Sequence, residues 1–168
     1  MKLKILPPIL IFLYCLYYIS SIESWHFIDN VNLIIHEAGH VVFMPFGYLI
    51  YVAGGTIFQI LIPIVFIGYF FLQQKGYSAS LLLFWLAVNL FNISLYSGDA
   101  LTQKLPLITG DAADHDWNQM LAMLGWLRHT ALISHTFLFA GIIVALIALA
   151  WGIYSSRNEQ KFDTIIAE

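Results

Sequence analysis

Charge is what this sequence has least of. Only 10% of its 168 residues are Asp, Glu, Lys or Arg, against roughly 25% in a soluble domain. The seven basic residues are scattered and the formal net charge is only −3. No basic patch therefore exists to bind nucleic acid or an acidic lipid surface. Cysteine is nearly absent. Cys15 alone excludes an internal disulfide and any zinc site built on thiolates. There is no internal repeat and no low-complexity tract, and the length suits one domain.

Apolar residues take the place of charge. They make up 60% of the chain, and mean hydropathy is +0.80. A spanning helix needs about 20 mostly apolar residues. Segments 5–22, 30–50, 56–72, 79–97 and 130–154 meet or approach that length. The expected fold is all-α: a polytopic integral membrane protein with about five transmembrane helices, four to six at the limits. Segment 5–22 follows Lys2 and Lys4 as a signal peptide would. However, Pro7-Pro8 interrupts it and no small-residue cleavage site follows, so a retained helix is expected. Residues 98–116 form the one long polar connection, and 117–127 read as a short interfacial or packed helix. Residues 1–154 are then one membrane domain, followed by a polar, solvated tail at 155–168. Five spans would put the termini on opposite sides. Basic residues divide almost evenly for either orientation, so only Lys2 and Lys4 favour a cytoplasmic N-terminus.

Within the second apolar segment stands "NLIIHEAGHVVFMPFG", residues 32–47. Two histidines and a glutamate in such a run cost free energy unless paired or bound to metal. His36-Glu37-Ala38-Gly39-His40 matches H-E-x-x-H, whose histidines share one helical face and can hold a single Zn²⁺. Glu37 then stands where it can take a proton from water activated by the metal. The alternative is two helix-packing histidines and a buried glutamate satisfied by neighbours. Asp29 or Asn30 can cap the start of this helix, and Pro45 and Gly47 can stop it.

HEAGH inside an apolar segment, followed by "AGGTIFQILIP", resembles the site-2 protease type of intramembrane zinc metallopeptidase. The stretches "NLFNISLY", "DALTQKLPLITG" and "DHDW" resemble less characterised bacterial membrane proteins with the same HEAGH core. The likeness covers most of residues 30–127. It implies a site in the bacterial cytoplasmic membrane, a Zn²⁺ cofactor and a membrane protein or peptide as substrate.

Catalytic zinc usually has three protein ligands. In site-2 proteases the third is an aspartate on a later spanning helix, which the resemblance carries onto Asp99. Asn89, Asn92, Tyr96 and Asp99 form a polar stripe about 80° wide at 100° per residue. Asp99 is followed by Ala100, where the family pattern has glycine. His115 and Asp116 are the rival ligands, and one of them can instead orient a ligating imidazole. Asn89 and Asn92 are candidates to hold substrate backbone, or else make interhelical hydrogen bonds. Gly54-Gly55 can form a re-entrant loop beside the site or a simple tight turn. Gln59 can pair with substrate or with a neighbouring helix. His135 lies in the last span, while His26 and His129 read as interfacial.

Three functions compete. The first is a membrane-embedded zinc metallopeptidase with Glu37 as general base. The second is a membrane zinc hydrolase acting on a lipid amide. The third is a non-catalytic metal-binding scaffold, which gives no reason for Glu37. Oligomeric state is not readable from the sequence.

Overall fold

The computed structural model describes the backbone of residues 2–167 and the side chains of residues 4–157. Its described residues are helical, with no strand: α1 (Leu6–Ser20), α2 (Phe27–Phe43), α3 (Tyr48–Leu72), α4 (Gly76–Gly98), α5 (Asp116–Met123) and α6 (Thr130–Ala167). Short 3₁₀ turns occupy Lys2–Ile5, Met44–Phe46, Ala112–Asp114 and Leu127–His129. Pro7 and Pro8 fall in the first turn of α1. There a missing N–H costs nothing, so the prolines start the helix rather than break it.

Among the described residues, three helical segments are long and apolar enough to cross a membrane: Tyr48–Leu72, Gly76–Gly98 and Leu127–Arg157. The other two helices are shorter. With 15 and 17 residues, α1 and α2 reach about 22 and 25 Å at 1.5 Å per residue, against roughly 30 Å of hydrocarbon. The described residues thus contain three helices of full spanning length where five segments are expected from hydropathy.

The segment read as 30–50 is divided. α2 begins at Phe27, earlier than expected, because the Asp29 side chain reaches back to accept the backbone N–H of His26 (2.8 Å). It ends at Phe43, Pro45 sits in a 3₁₀ turn, and Gly47 takes φ of +94°. That left-handed region is cheap only for glycine. α3 starts immediately afterwards, so Gly54 and Gly55 lie inside a continuous helix. Neither a re-entrant loop nor a tight turn exists there.

α4 is the most buried of the long helices. Its Phe84, Ala87, Val88 and Phe91 pack with Cys15 and Tyr18 of α1 and with Ala145 and Ala148 of α6. A second apolar cluster, Ile93, Ala100, Trp117 and Leu121, seats α5 against the C-terminal end of α4. α2 and α3 meet at two glycines. A Cβ on Gly39 would come within 2.3 Å of the Gly54 carbonyl oxygen, so only glycine permits this backbone approach. The polar tail continues as helix: α6 runs to Ala167, and Ser155 and Ser156 are buried rather than solvated. The side chains of 158–168 lie outside the described residues.

Candidate metal centre

His36 and His40 stand one turn apart on α2, both buried, with ring centroids 4.8 Å apart. Each ring is fixed through Nδ1. His36 Nδ1–H donates to Gln59 Oε1 (2.7 Å), and His40 Nδ1–H donates to the Tyr51 carbonyl (2.8 Å). Both partners can only accept, so Nδ1 carries the proton and Nε2 is left with its lone pair. The Nε2 atoms of His36 and His40 lie 2.9 and 3.4 Å from Asp116 Oδ2. Three lone-pair donors therefore converge, with their ligand atoms all within 4.8 Å of one another. Facing acceptors repel unless a cation sits among them, either a proton on an imidazole or a metal ion. Two imidazoles and one carboxylate, each imidazole oriented by a hydrogen bond on its far side, suit Zn²⁺. This donor set fits the ion that the H-E-x-x-H spacing implies.

Asp116 arrives from the loop after α4 as the first residue of α5. His115 caps that helix by accepting the Asn118 backbone N–H at Nδ1 (3.3 Å). Tyr96 of α4 stacks on His115, with centroids 4.4 Å apart. It also holds Asp116 twice, donating from its hydroxyl to Oδ2 and accepting from the backbone N–H, each at 3.1 Å. Burial opposes the charge on Asp116. When the imidazoles are protonated at Nε2 as well, their hydrogen bonds and positive charge outweigh it and hold the carboxyl at about 2, so Asp116 is a carboxylate.

Asp99 is not in this cluster. It is the C-cap of α4, where the helix ends and the chain turns away. Its oxygens accept from the Thr102 hydroxyl and from the backbone N–H groups of Lys104 (3.0 Å) and Leu105 (2.9 Å). Burial opposes its ionisation as well, and these donors still lower its pKa. The His115 Nε2 lies 3.5 Å from Asp99 Oδ2 and is wholly buried. Burial lowers the pKa of this imidazole against the pull of Asp99 and Asp116. Asp99 and His115 thus shape the loop that delivers Asp116, the second of the two rival ligands.

Glu37 is exposed and makes no hydrogen bond or ion pair among the described residues. It is close enough to act electrostatically on His40 and Tyr96.

The polar residues expected to hold substrate are tied to one another. Gln59 Nε2 donates to Asn89 Oδ1 (3.3 Å) and Asn92 Oδ1 (3.2 Å), while Asn92 Nδ2 donates to Asp29 Oδ1 (3.3 Å). Tyr18 donates to the same Asp29 oxygen (2.7 Å). The chain Asp29–Asn92–Gln59–His36 therefore sets the tautomer of the His36 imidazole. Gly54 packs against Gly39, and Gly55 makes room for the His36 ring, since a Cβ there would lie 2.3 Å from Nε2. His135 is exposed on α6, His129 accepts from Arg128 Nε, and His26 is buried against Tyr18.

Two groups at the site were not assigned roles from sequence: the Tyr96 hydroxyl and the Tyr51 carbonyl. Tyr96 had a signal, since it shares the polar stripe of Asn89 and Asn92. A main-chain carbonyl leaves none. No protein-family model, no curated protein and no solved structure matches this chain.

Proposed function

We propose that this chain is a membrane-embedded zinc metallopeptidase of the site-2 protease type, in a bacterial cytoplasmic membrane, which cleaves a peptide bond of a membrane protein or peptide. The observation that carries this reading is the convergence of His36, His40 and Asp116 beside an unpaired Glu37. His36, His40 and Asp116 would hold the Zn²⁺. When bound, the ion polarises the scissile carbonyl and lowers the pKa of water. Glu37 accepts the proton of the attacking water and returns it to the leaving amine. This acid–base cycle suits a carboxylate that spends no hydrogen bond on its neighbours. Gln59 and the Tyr51 carbonyl keep both imidazoles in the Nδ1–H tautomer, and Tyr96 holds the Asp116 carboxylate in register. Metal binding alone requires none of this of Glu37, which favours an enzyme over a scaffold.

The test pairs metal analysis with one isosteric variant. Detergent-purified protein should carry about one zinc per chain, as a single H-E-x-x-H site implies. Glu37→Gln should keep that zinc and accumulate an uncleaved membrane protein in cells. A Glu37→Gln chain that retains zinc and full cellular function would end the enzymatic reading. Accumulation of an uncleaved lipid amide would redirect it to the second hypothesis.

A further inference from the structure

A cavity of about 210 Å³ lies between α2, α4 and the loop at 105–108. Its floor includes buried Asp29, His36 and Gln59, and its mouth is flanked by exposed Trp25, Pro106 and Ile108. Leu33, Leu95, Leu105 and Leu107 make the walls apolar. The cavity adjoins the metal centre, because His36 and Tyr96 both line it and both bond to Asp116.

The polar floor is already satisfied from within. Asp29 accepts from Tyr18, Asn92 and the His26 backbone N–H, so the buried carboxylate is satisfied, and the other carboxylate of the lining, Glu23, is exposed beside Trp25. The Gln59 oxygen is taken by His36 and its nitrogen by Asn89 and Asn92. What the cavity offers an occupant is therefore shape and apolar wall. A dry cavity of about 150 Å³ is enough for benzene. This one admits an isobutyl or benzyl group, with little room for a long chain.

Resting on the zinc-peptidase reading, we infer that this cavity is the specificity pocket for a residue flanking the scissile bond, and that it selects one large apolar side chain of leucine or phenylalanine size. A small residue there would leave the pocket wet and forgo the burial. A long acyl chain would have to leave through the mouth.

The test uses full-length, zinc-loaded protein in detergent and alkyl hydroxamates as metal-anchored probes, with methyl, isobutyl, benzyl and undecyl side arms, titrated by calorimetry. Burial is worth roughly fourfold in affinity per methylene. Isobutyl and benzyl should therefore bind at least about tenfold more tightly than methyl, and undecyl no more tightly than benzyl. Leu33→Trp, which fills the wall, should collapse the benzyl-to-methyl ratio towards one. Leu33→Ala should move the preference to arms larger than benzyl, a result that stands even if the tryptophan variant fails to fold. Affinity that is flat across the series, or unchanged by both variants, with methyl hydroxamate still bound, would overturn the pocket while leaving the metal centre intact. Tightest binding by undecyl would overturn it in favour of a lipid chain. Absence of zinc and of methyl hydroxamate binding would overturn the peptidase reading, and the pocket with it.

Discussion

Asp116 touches both imidazoles and the Tyr96 hydroxyl, while Asp99 touches only the loop that carries Asp116 into place. Their substitutions should separate accordingly. Asp116→Ala should strip most of the zinc from purified protein. Asp99→Asn should keep it but weaken it by about 10–100-fold, the usual cost of disturbing a group that orients ligands. Competition with a zinc chelator measures both. Equal loss in the two variants would move Asp99 into the coordination sphere. At Glu37 the expected effect is on rate and not on metal. Glu37→Gln should lower turnover about 10²–10⁴-fold at unchanged zinc content, read from cleavage of the accumulated substrate on gels. Asp99 also gives a pH signature. Its pKa is lowered in the folded chain, so the stability it adds is present above the unfolded value of about 3.9. That stability is lost as pH falls through the lower folded value. Hydrogen exchange at the Lys104 and Leu105 amides should accelerate in that acid window in wild type, and much less in Asp99→Asn, which has no carboxylate to titrate.

At the level of helices, α2 and α3 are held together by what their glycines lack. Gly39→Ala would push a methyl carbon to 2.3 Å from the Gly54 carbonyl oxygen, and Gly55→Ala would push one into the His36 ring. Backbone cannot yield as a flexible side chain can, so Gly39→Ala should cost about 1–3 kcal/mol of stability. Gly55→Ala should in addition lower zinc occupancy by displacing His36. Gly68, on the same helix α3, has nothing within 4 Å of an added Cβ. Gly68→Ala should therefore be neutral or stabilising by up to about 1 kcal/mol through helix propensity. Thermal unfolding in detergent, with zinc measured alongside, distinguishes these outcomes. A tolerated Gly39→Ala would mean that α2 and α3 do not approach as closely as described.

For the whole molecule, the three long apolar helices set the partition between membrane and water. Tyr48–Leu72, Gly76–Gly98 and Leu127–Arg157 should keep the chain in the membrane pellet after alkaline carbonate extraction. Release into the supernatant would contradict the membrane reading. The shorter α1 and α2 pack against this frame, with α1 on α4 and α6 through Cys15 and Tyr18 and α2 on α3 through its glycine contact.

The helical class, the membrane-scale hydropathy and the pairing of His36 with His40 belong to the sequence itself. Each depends on residues within a few turns of one another: the length of an apolar run, or an i, i+4 spacing that any helix places on one face. The stop after α2 was legible for the same reason, since Pro45 and Gly47 act through local backbone limits. Spans were less so. Hydropathy measures the length of an apolar run, and the run over 30–50 contains a helix end that divides it between α2 and α3. Which of Asp99, His115 and Asp116 joins the two histidines was beyond local reading. Extending the α4 stripe led to Asp99, but the helix stops at Gly98 and Asp99 turns to bind its own loop. The carboxylate that reaches the histidines comes 80 positions after His36. It is carried there by the packing of Trp117 and Leu121 against α4, and a contact at that separation is decided by burial of the whole assembly.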